Sequence, residues 1–166
     1  MSEQKTRTRK KAAPSTPLTP ADNPAETQTP DPDVIINVLI EMAKNARKRA
    51  YAPYSGYRVG AALLSVRGEV YTGCNVENAA YGQSICAERG AVMKAVSEGE
   101  RKFDVIAIVT EDGGSPCGAC RQFLSEFSED ILVIMADRRG RYTLTTIGEL
   151  LPMAFKLRPE QGDRVA

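Results

Sequence analysis

Apolar residues recur every three or four positions in the stretch "DVIINVLIEMAKNARKRA". This spacing predicts an amphipathic helix with Asp33 as its cap. The apolar positions are Val34, Ile35, Val38, Leu39, Met42 and Ala46. Pro53 and Gly56 interrupt the pattern, so the helix is expected to end before them.

Two apolar runs after this break predict a β-hairpin. The runs "RVGAALLSV" and "EVYTGCNV" are separated by Arg67 and Gly68, where we expect the turn. The next stretch, "CAERGAVMKAVSEG", predicts a helix that ends at Gly99, because glycine commonly follows the last helical turn.

Strands and helices alternate through the rest of the chain. The runs "FDVIAIVT" and "DILVIMAD" are apolar and rich in β-branched residues, which is typical of strands buried on both faces. Between them, "PCGACRQFLSEF" predicts a helix that begins at or near Cys117. A further strand is predicted in "RYTLTTI" and a short helix in "GELLPMAF". This order favours an α/β fold with three layers, α/β/α, around a five-stranded mixed sheet.

Composition divides the chain into three parts. Residues 1–32 are rich in proline and threonine and poor in apolar residues, so we expect a disordered tail. Residues 33–157 are predicted to form one domain, and residues 158–166 a polar tail. No apolar run reaches the roughly 18 residues that span a bilayer, and no apolar segment typical of a secretory signal follows the basic start. We therefore expect a cytoplasmic protein without a membrane partner.

The charge balance favours a small substrate. The net charge is +1, and residues 1–32 carry five Lys or Arg and four Asp or Glu, which leaves 17 of each in the other 134 residues. A domain that binds a nucleic-acid backbone usually carries a basic excess. We therefore expect a small-molecule substrate and no nucleic-acid partner.

The four cysteines carry the candidate chemistry. In a reducing compartment, thiols point to metal binding or catalysis more than to disulfides. Cys117 and Cys120 form a C-x-x-C pair at a predicted helix start, where the helix dipole favours thiolates. That pair alone fits a redox pair, half of a zinc site or two packed thiols. Cys86 adds a third donor at another helix start, whereas Cys74 lacks such paired spacing and is expected to be a small buried side chain.

Three thiolates on zinc would leave one position open to water. Glu88 follows Cys86 by two residues, so its carboxylate is expected to point past the metal, where it can move protons. The alternative role of Glu88 is to complement the helix dipole. Three thiolates also give the cluster a negative charge that a nearby cation would offset. We favour Arg89 over Arg121 as that cation, donating hydrogen bonds to sulfur.

The motifs "CAER" and "PCGACRQ" together resemble those of the zinc-dependent cytidine deaminases, in which a Cys or His, a Glu two residues later and a downstream P-C-x-x-C form the site. The blocks "AYAPYSGYRVGAALL", "GCNVENAAYG" and "ELLPMAF" extend this resemblance across residues 33–157 to the small homotetrameric enzymes that act on free nucleosides. The resemblance implies hydrolytic deamination of cytidine and 2′-deoxycytidine in pyrimidine salvage. It also implies one Zn²⁺ per subunit, bound by Cys86, Cys117 and Cys120.

The resemblance further implies roles for residues around the metal. Glu88 would shuttle protons to the N3 atom and the leaving amine of the base, and Arg89 would neutralise the thiolates. Asn75 and Glu77, in "NVEN", would bind the 3′-hydroxyl of the sugar. Taken as residues alone, Asn75 and Glu77 alternate along a strand end and are equally compatible with two side chains that face solvent.

Three more residues would complete the nucleoside site. The backbone at Ala87 would hold part of the pyrimidine edge. Tyr57 stands where the family commonly has Phe, and its ring would pack against the base. Phe155 would supply an aromatic ring across a subunit boundary. By themselves, these two aromatic residues are also compatible with ordinary packing roles.

Three other functions share parts of this pattern. A nonenzymatic domain stapled by zinc would need four protein ligands, and a polynucleotide-editing deaminase would need a basic groove. A deaminase of an antibiotic nucleoside such as blasticidin S would share the metal site. The block "NVENAAYG" favours cytidine and deoxycytidine as substrates.

Overall fold

The computed structural model describes residues 31–157. The elements, in chain order, are α1 (Pro32–Arg47), β1 (Gly60–Ser65), β2 (Val70–Cys74), a short 3₁₀ turn (Tyr81–Gln83), α2 (Ala87–Ser97), β3 (Phe103–Val109), α3 (Gly118–Ser125), β4 (Leu132–Ala136), β5 (Tyr142–Thr146) and α4 (Ile147–Leu150). The tails predicted for residues 1–32 and 158–166 lie, except for Asp31 and Pro32, outside the described residues and stay predictions. Within residues 31–157, no helix is long and apolar enough to cross a bilayer.

The five strands form one mixed sheet in the order β2-β1-β3-β4-β5. The central pair, β3 and β4, is parallel, and the other neighbours are antiparallel. Helix α3 makes the crossover between the two parallel strands, as such a connection requires. The predicted three-layer α/β/α fold is confirmed.

Side chains alternate between the two faces of the sheet and build two cores. Helix α1 covers one face, whose buried residues are Ile36, Leu39, Ile40, Ala43, Ala62, Ala107, Val109, Ile134 and Ala136. Helices α2 and α3 cover the other face, which buries among others Ala61, Leu63, Ala91, Val92, Ile106, Ile108, Leu124 and Val133. The strands β3 and β4 are therefore buried on both sides, which explains their continuous apolar sequence.

Two helix ends differ from the sequence-based expectations. Helix α1 is capped by Asp31, whose Oδ1 accepts from Asp33 N at 3.0 Å, so the prediction of Asp33 as the cap is wrong. Pro32 occupies the first helical position, where its missing N–H costs nothing. Helix α4 ends at Leu150 and does not continue through "PMAF", because Pro152 disfavours a helical conformation in the residue before it.

The register of the strands brings four chain segments to one edge of the sheet. Gly60, at the start of β1, pairs with Cys74 at the end of β2 and with Val109 at the end of β3. Val109 pairs in turn with Ala136 at the end of β4. The residues before β1 and after β2, β3 and β4 therefore meet at this edge.

Gly73 allows helix α2 to lie directly on strand β2. A Cβ atom at this position would be 2.3 Å from the carbonyl oxygen of Ala87 and 2.5 Å from Ala91 N. Both contacts involve backbone atoms of α2, so no side-chain adjustment can relieve them. The close approach fixes the first turn of α2, which carries Cys86 and Glu88, against the sheet.

We expect Gly73→Ala to reduce the free energy of unfolding by roughly 3 kcal/mol, because the helix must move away from the strand. Urea unfolding followed by circular dichroism measures this loss. The matched control is Gly82→Ala, since a Cβ at Gly82 meets nothing within 4 Å. A loss for Gly73→Ala no larger than that of the control would show that the helix accommodates the methyl group.

Candidate active site

Two helix starts bring three sulfur atoms together. Cys86 and Cys117 are the N-caps of α2 and α3, and neither side chain makes a capping hydrogen bond to its own helix. Cys120 lies one turn into α3 and is buried. The Sγ atoms of Cys86, Cys117 and Cys120 all lie within 4.8 Å of one another, and those of Cys86 and Cys117 are 3.9 Å apart. Both cap sulfurs are thus directed to each other and not to the helix backbone.

This geometry fits a zinc ion. Four sulfurs in a tetrahedron around zinc lie about 3.8 Å apart, given Zn–S bonds of about 2.3 Å. Within residues 31–157, the cluster of metal-binding side chains consists of these three cysteines, and the chain contains no histidine. Three protein ligands and an open position are typical of catalytic zinc, whereas structural zinc takes four.

Cys74 lies outside this cluster, as expected. Its side chain is half-buried, however, so the prediction of a buried residue is wrong. It ends β2, the edge strand of the sheet, where one side lacks a neighbouring strand.

The sulfur cluster already favours a thiolate. A hydrogen bond from Cys120, together with others from Arg89 and Cys117, lowers the pKa of the Cys86 thiol to about 5, although burial opposes the shift. The same hydrogen bond with Cys86, together with burial, raises the pKa of the Cys120 thiol. The start of α2 adds a partial positive charge at Cys86. A divalent cation would therefore meet a charged sulfur without first displacing its proton.

Of the two candidate cations, only Arg89 reaches sulfur. Its NH2 group lies 4.0 Å from Cys86 Sγ and donates to the carbonyl oxygen of Ser84 at 3.0 Å. Arg121 instead donates to the carbonyl oxygens of Pro116 at 2.8 Å and Leu150 at 3.1 Å. Arg121 therefore holds the loop before Cys117 in place, and Arg89 is the arginine whose positive charge lies beside Cys86.

Replacing Arg89 by glutamine is expected to lower the affinity for zinc by about 10- to 100-fold, the usual effect of losing a residue that supports a metal ligand. The cause would be the loss of positive charge beside the Cys86 thiolate. Competition with a chromogenic chelator measures the affinity. Lys94→Gln, which removes an exposed positive charge from the same helix, is the control. Equal affinities in the two variants would argue against a role for Arg89 at the metal.

Glu88 is buried in the first turn of α2, with 4% of its surface exposed. Burial raises the pKa of its carboxyl group, and the negative charge of Cys86 raises it further. Glu88 lines a cavity of about 320 Å³ together with Cys86, Cys117 and Tyr57, a size suited to a small ligand. The structure thus brings a buried carboxyl group with a raised pKa to the same cavity as the thiols.

The predicted sugar-binding residues lie between this cavity and an adjoining cleft of about 380 Å³. Asn75 and Glu77 line both, together with Ser55 and Cys86. The cleft is also lined by Tyr54, Val76, Tyr81, Ser84 and Ile85. The cavity and the cleft together are large enough for a base and an attached sugar.

Asn75 and Glu77 also organise the loop before β1, a role that the sequence did not indicate. Asn75 Oδ1 accepts from Val59 N at 2.8 Å, and Asn75 Nδ2 donates to the carbonyl oxygen of Tyr57 at 2.9 Å. The carboxylate of Glu77 accepts from the hydroxyl and N–H groups of Ser55 and from Tyr54 N at 2.8 Å. The hydroxyl of Ser55, followed by the N–H of Tyr54, lowers the pKa of Glu77. Neither side chain simply faces solvent.

The three other residues predicted to contact the substrate differ in their positions relative to the cavity. Tyr57 lines the cavity that contains Glu88. Ala87 is buried as the first residue of α2, where backbone N–H groups have no partner within the helix. Phe155 is 68% exposed and lines neither the cavity nor the cleft, and its backbone N–H and carbonyl pair with the Gln122 side chain. All the predicted site residues except Phe155 therefore lie at or beside the site within one chain.

Comparison with known families agrees with this geometry. Residues 35–136 match the model of the cytidine and deoxycytidylate deaminase zinc-binding region. The chain belongs to this family. The resemblance drawn from the "CAER" and "PCGACRQ" motifs is therefore confirmed, and the matched zinc-binding region includes the three clustered cysteines, whose arrangement fits a zinc ion.

Relatives of known structure or curated function share most of this domain. The cytidine deaminase of Sporosarcina psychrophila is 48% identical over 123 residues, which are 72% of this chain and 90% of the relative. The crystal structure of cytidine deaminase from Burkholderia pseudomallei, 48% identical, has a TM-score of 0.70 and covers 72% of this chain and 98% of its own. A more distant relative, the blasticidin-S deaminase of Bacillus cereus, is 31% identical over 70% of this chain and 89% of its own.

Proposed function

We propose that this protein is a zinc-dependent deaminase that hydrolyses cytidine and 2′-deoxycytidine to uridine and 2′-deoxyuridine, with release of ammonia. The observation that carries the proposal is the position of Glu88, a buried carboxyl group in the same cavity as three clustered thiols. The likeness to the cytidine deaminases of Sporosarcina psychrophila and Burkholderia pseudomallei supports it.

The proposed mechanism assigns the proton transfers to Glu88. Zinc, held by Cys86, Cys117 and Cys120, supplies Lewis-acid activation of water when bound. Glu88 accepts a proton from water and donates it to N3 of cytosine as the water oxygen bonds to C4. It then accepts the second proton of that water from the new hydroxyl group on C4 and passes it to the amine, which leaves as ammonia. Burial raises the pKa of this carboxyl group, which makes it a better proton acceptor than an exposed glutamate.

The remaining residues bind and orient the nucleoside. Asn75 has one N–H and Glu77 has lone pairs that the loop before β1 leaves free for a sugar hydroxyl. Ala87 offers a backbone N–H at the start of α2 for the edge of the base. Tyr57 offers an aromatic face beside Glu88. Bound in this way, the base would place its amino-bearing carbon next to Glu88.

Phe155 requires a second copy of the chain if it contributes to the site. We propose a homotetramer, the assembly that the sequence resemblance implies, in which Phe155 reaches the site of a neighbour. The exposed apolar side chains of Tyr54, Tyr81, Met153 and Leu157 support an assembly that covers them. Light scattering is expected to give four times the chain mass of 18.0 kDa, and a monomer at working concentration would contradict this.

We further propose that the enzyme acts in the cytoplasm in pyrimidine salvage. All four cysteines are free thiols, which suits a reducing compartment. Fractionation of the source cells followed by immunodetection tests the location.

The activity is tested by the ultraviolet absorbance change that accompanies conversion of cytosine to uracil. Purified zinc-loaded protein is mixed in parallel with cytidine, deoxycytidine, blasticidin S and an oligonucleotide that contains cytosine. We expect turnover of the two free nucleosides and none of the oligonucleotide. Faster turnover of blasticidin S than of cytidine would assign the chain to the antibiotic-directed class, and turnover of the oligonucleotide alone would overturn the proposal.

A further inference from the structure

Tyr57 is fixed at both ends. At its backbone, the N–H donates to Ser55 Oγ at 2.9 Å and the carbonyl oxygen accepts from Asn75 Nδ2 at 2.9 Å. At the far end of the side chain, the hydroxyl donates to Asp112 Oδ1 at 2.7 Å. The ring is therefore held in one orientation although 41% of the residue is exposed.

Asp112 is itself held by the turn that follows β3. The hydroxyl of Thr110, a buried residue, donates to Asp112 Oδ1 at 3.0 Å. The same hydroxyl oxygen accepts from Gly113 N at 2.8 Å and from Gly114 N at 2.7 Å. The hydrogen bond from Tyr57, followed by that from Thr110, lowers the pKa of Asp112. An ionised carboxylate at a fixed position thus receives the tyrosine hydroxyl.

Gly114 leaves room for this hydroxyl. A Cβ atom at Gly114 would lie 3.0 Å from the hydroxyl oxygen of Tyr57 and 3.6 Å from Asp112 Oδ1. A side chain at position 114 would therefore push the hydroxyl away from its acceptor. Thr110, Asp112 and Gly114 together form a socket for the end of Tyr57, which we call the Tyr57 socket.

We propose that Asp112 is a positioning residue of the nucleoside site, an inference that rests on the proposed function. By accepting the hydroxyl of Tyr57, it fixes the aromatic wall of the cavity beside Glu88, so that an aromatic base meets a surface already in place. Pairs of aromatic rings prefer offset-stacked or edge-to-face orientations. A ring free to rotate would have to be ordered each time a substrate binds, and this cost weakens binding.

The proposal predicts a change in KM and not in kcat. Loss of one hydrogen bond reduces binding by roughly 3- to 10-fold, so Asp112→Ala is expected to raise the KM for cytidine by that factor, with kcat within about twofold of the wild type. Tyr57→Phe is expected to give a similar rise. Asp112→Asn keeps an oxygen that can accept from the Tyr57 hydroxyl, so this variant is expected to have the same KM as the wild type. Asp104→Ala, at an exposed position on the adjoining strand, is the matched control.

Double variants distinguish the loss of the Tyr57 hydrogen bond from a general loss of structure. In Tyr57→Phe protein, Asp112→Ala should raise KM no further, because the hydroxyl is already gone. Gly114→Ala leaves Asp112 intact and provides a second perturbation if Asp112→Ala does not fold. It should raise KM in the wild type and have no effect in Tyr57→Phe protein. Additive effects in either pair, or an unchanged KM in Asp112→Ala, would overturn the proposal.

A measurement that does not depend on turnover keeps this inference distinct from the proposed activity. Protein labelled with ¹³C at tyrosine Cζ gives a resonance for Tyr57 that is assigned by its loss in Tyr57→Phe. We expect this resonance to shift in Asp112→Ala and to stay in place in Asp104→Ala. An unshifted resonance would overturn the inference, whereas wild-type protein without cytidine turnover would overturn the proposed function.

Discussion

Glu88→Gln is expected to lower kcat for cytidine at least about 10³-fold while zinc and nucleoside still bind. Glutamine has nearly the same shape as glutamate, so the cavity and the three sulfur ligands should keep their places. It has no carboxyl group, however, and cannot carry a proton from water to the base. The measurement is single-turnover deamination of cytidine, with zinc content and nucleoside affinity determined on the same preparation.

A second Glu→Gln substitution, just after the same helix, shows whether the loss of activity is specific to the buried position of Glu88. Glu98→Gln makes the identical chemical change at an exposed residue after the last turn of α2, where no effect on kcat is expected. If Glu88→Gln retained a tenth of the wild-type rate, Glu88 would not be the proton carrier. Loss of zinc from this variant would instead show that Glu88 helps to hold the metal.

Cys117→Ala is expected to remove both zinc and activity. Cys117 is exposed, so the substitution leaves no cavity in the core, and any effect must come from the lost sulfur ligand. With two sulfurs left, zinc should be lost during desalting, so elemental analysis should fall from one ion per chain to nearly none. The deaminase rate should fall with it, since the metal activates the water.

Cys74→Ala provides the matched control for this experiment. It removes a thiol of the same chain that lies outside the sulfur cluster, and it should leave the zinc content unchanged. Circular dichroism should show folded protein for both variants. A Cys117→Ala protein that kept a full equivalent of zinc and its activity would exclude the three-sulfur site.

The metal centre was largely predictable from the sequence because its geometry is local to two helix starts. The spacing of Cys117 and Cys120 places both sulfurs on the first turn of α3, and Glu88 follows Cys86 in the first turn of α2. What the spacing did not determine is which arginine faces sulfur. Arg89 and Arg121 follow Glu88 and Cys120 in equivalent ways, and only the packing of each helix separates them.

The supports of the nucleoside pocket could not be predicted, since they join residues that are far apart in the chain. The hydroxyl of Tyr57 finds its acceptor 55 positions later, at Asp112. Asn75 and Glu77 bind the loop before β1 because the hairpin register places the two segments side by side. A single sequence contains no signal for such pairs, because each depends on where whole strands come to lie.

The sequence by itself predicted the order of helices and strands and the positions of three cysteines and Glu88 at two helix starts, because the hydrophobic period and the spacing of residues at a helix start act over a few residues. The tertiary structure alone decided that the ends of β2 and β3 and the start of β1 share one edge of the sheet. It also decided that Phe155 is exposed and does not line the cavity of its own chain. The physical reason is that strand register and helix packing are set by the burial of the whole apolar surface, to which every element contributes at once.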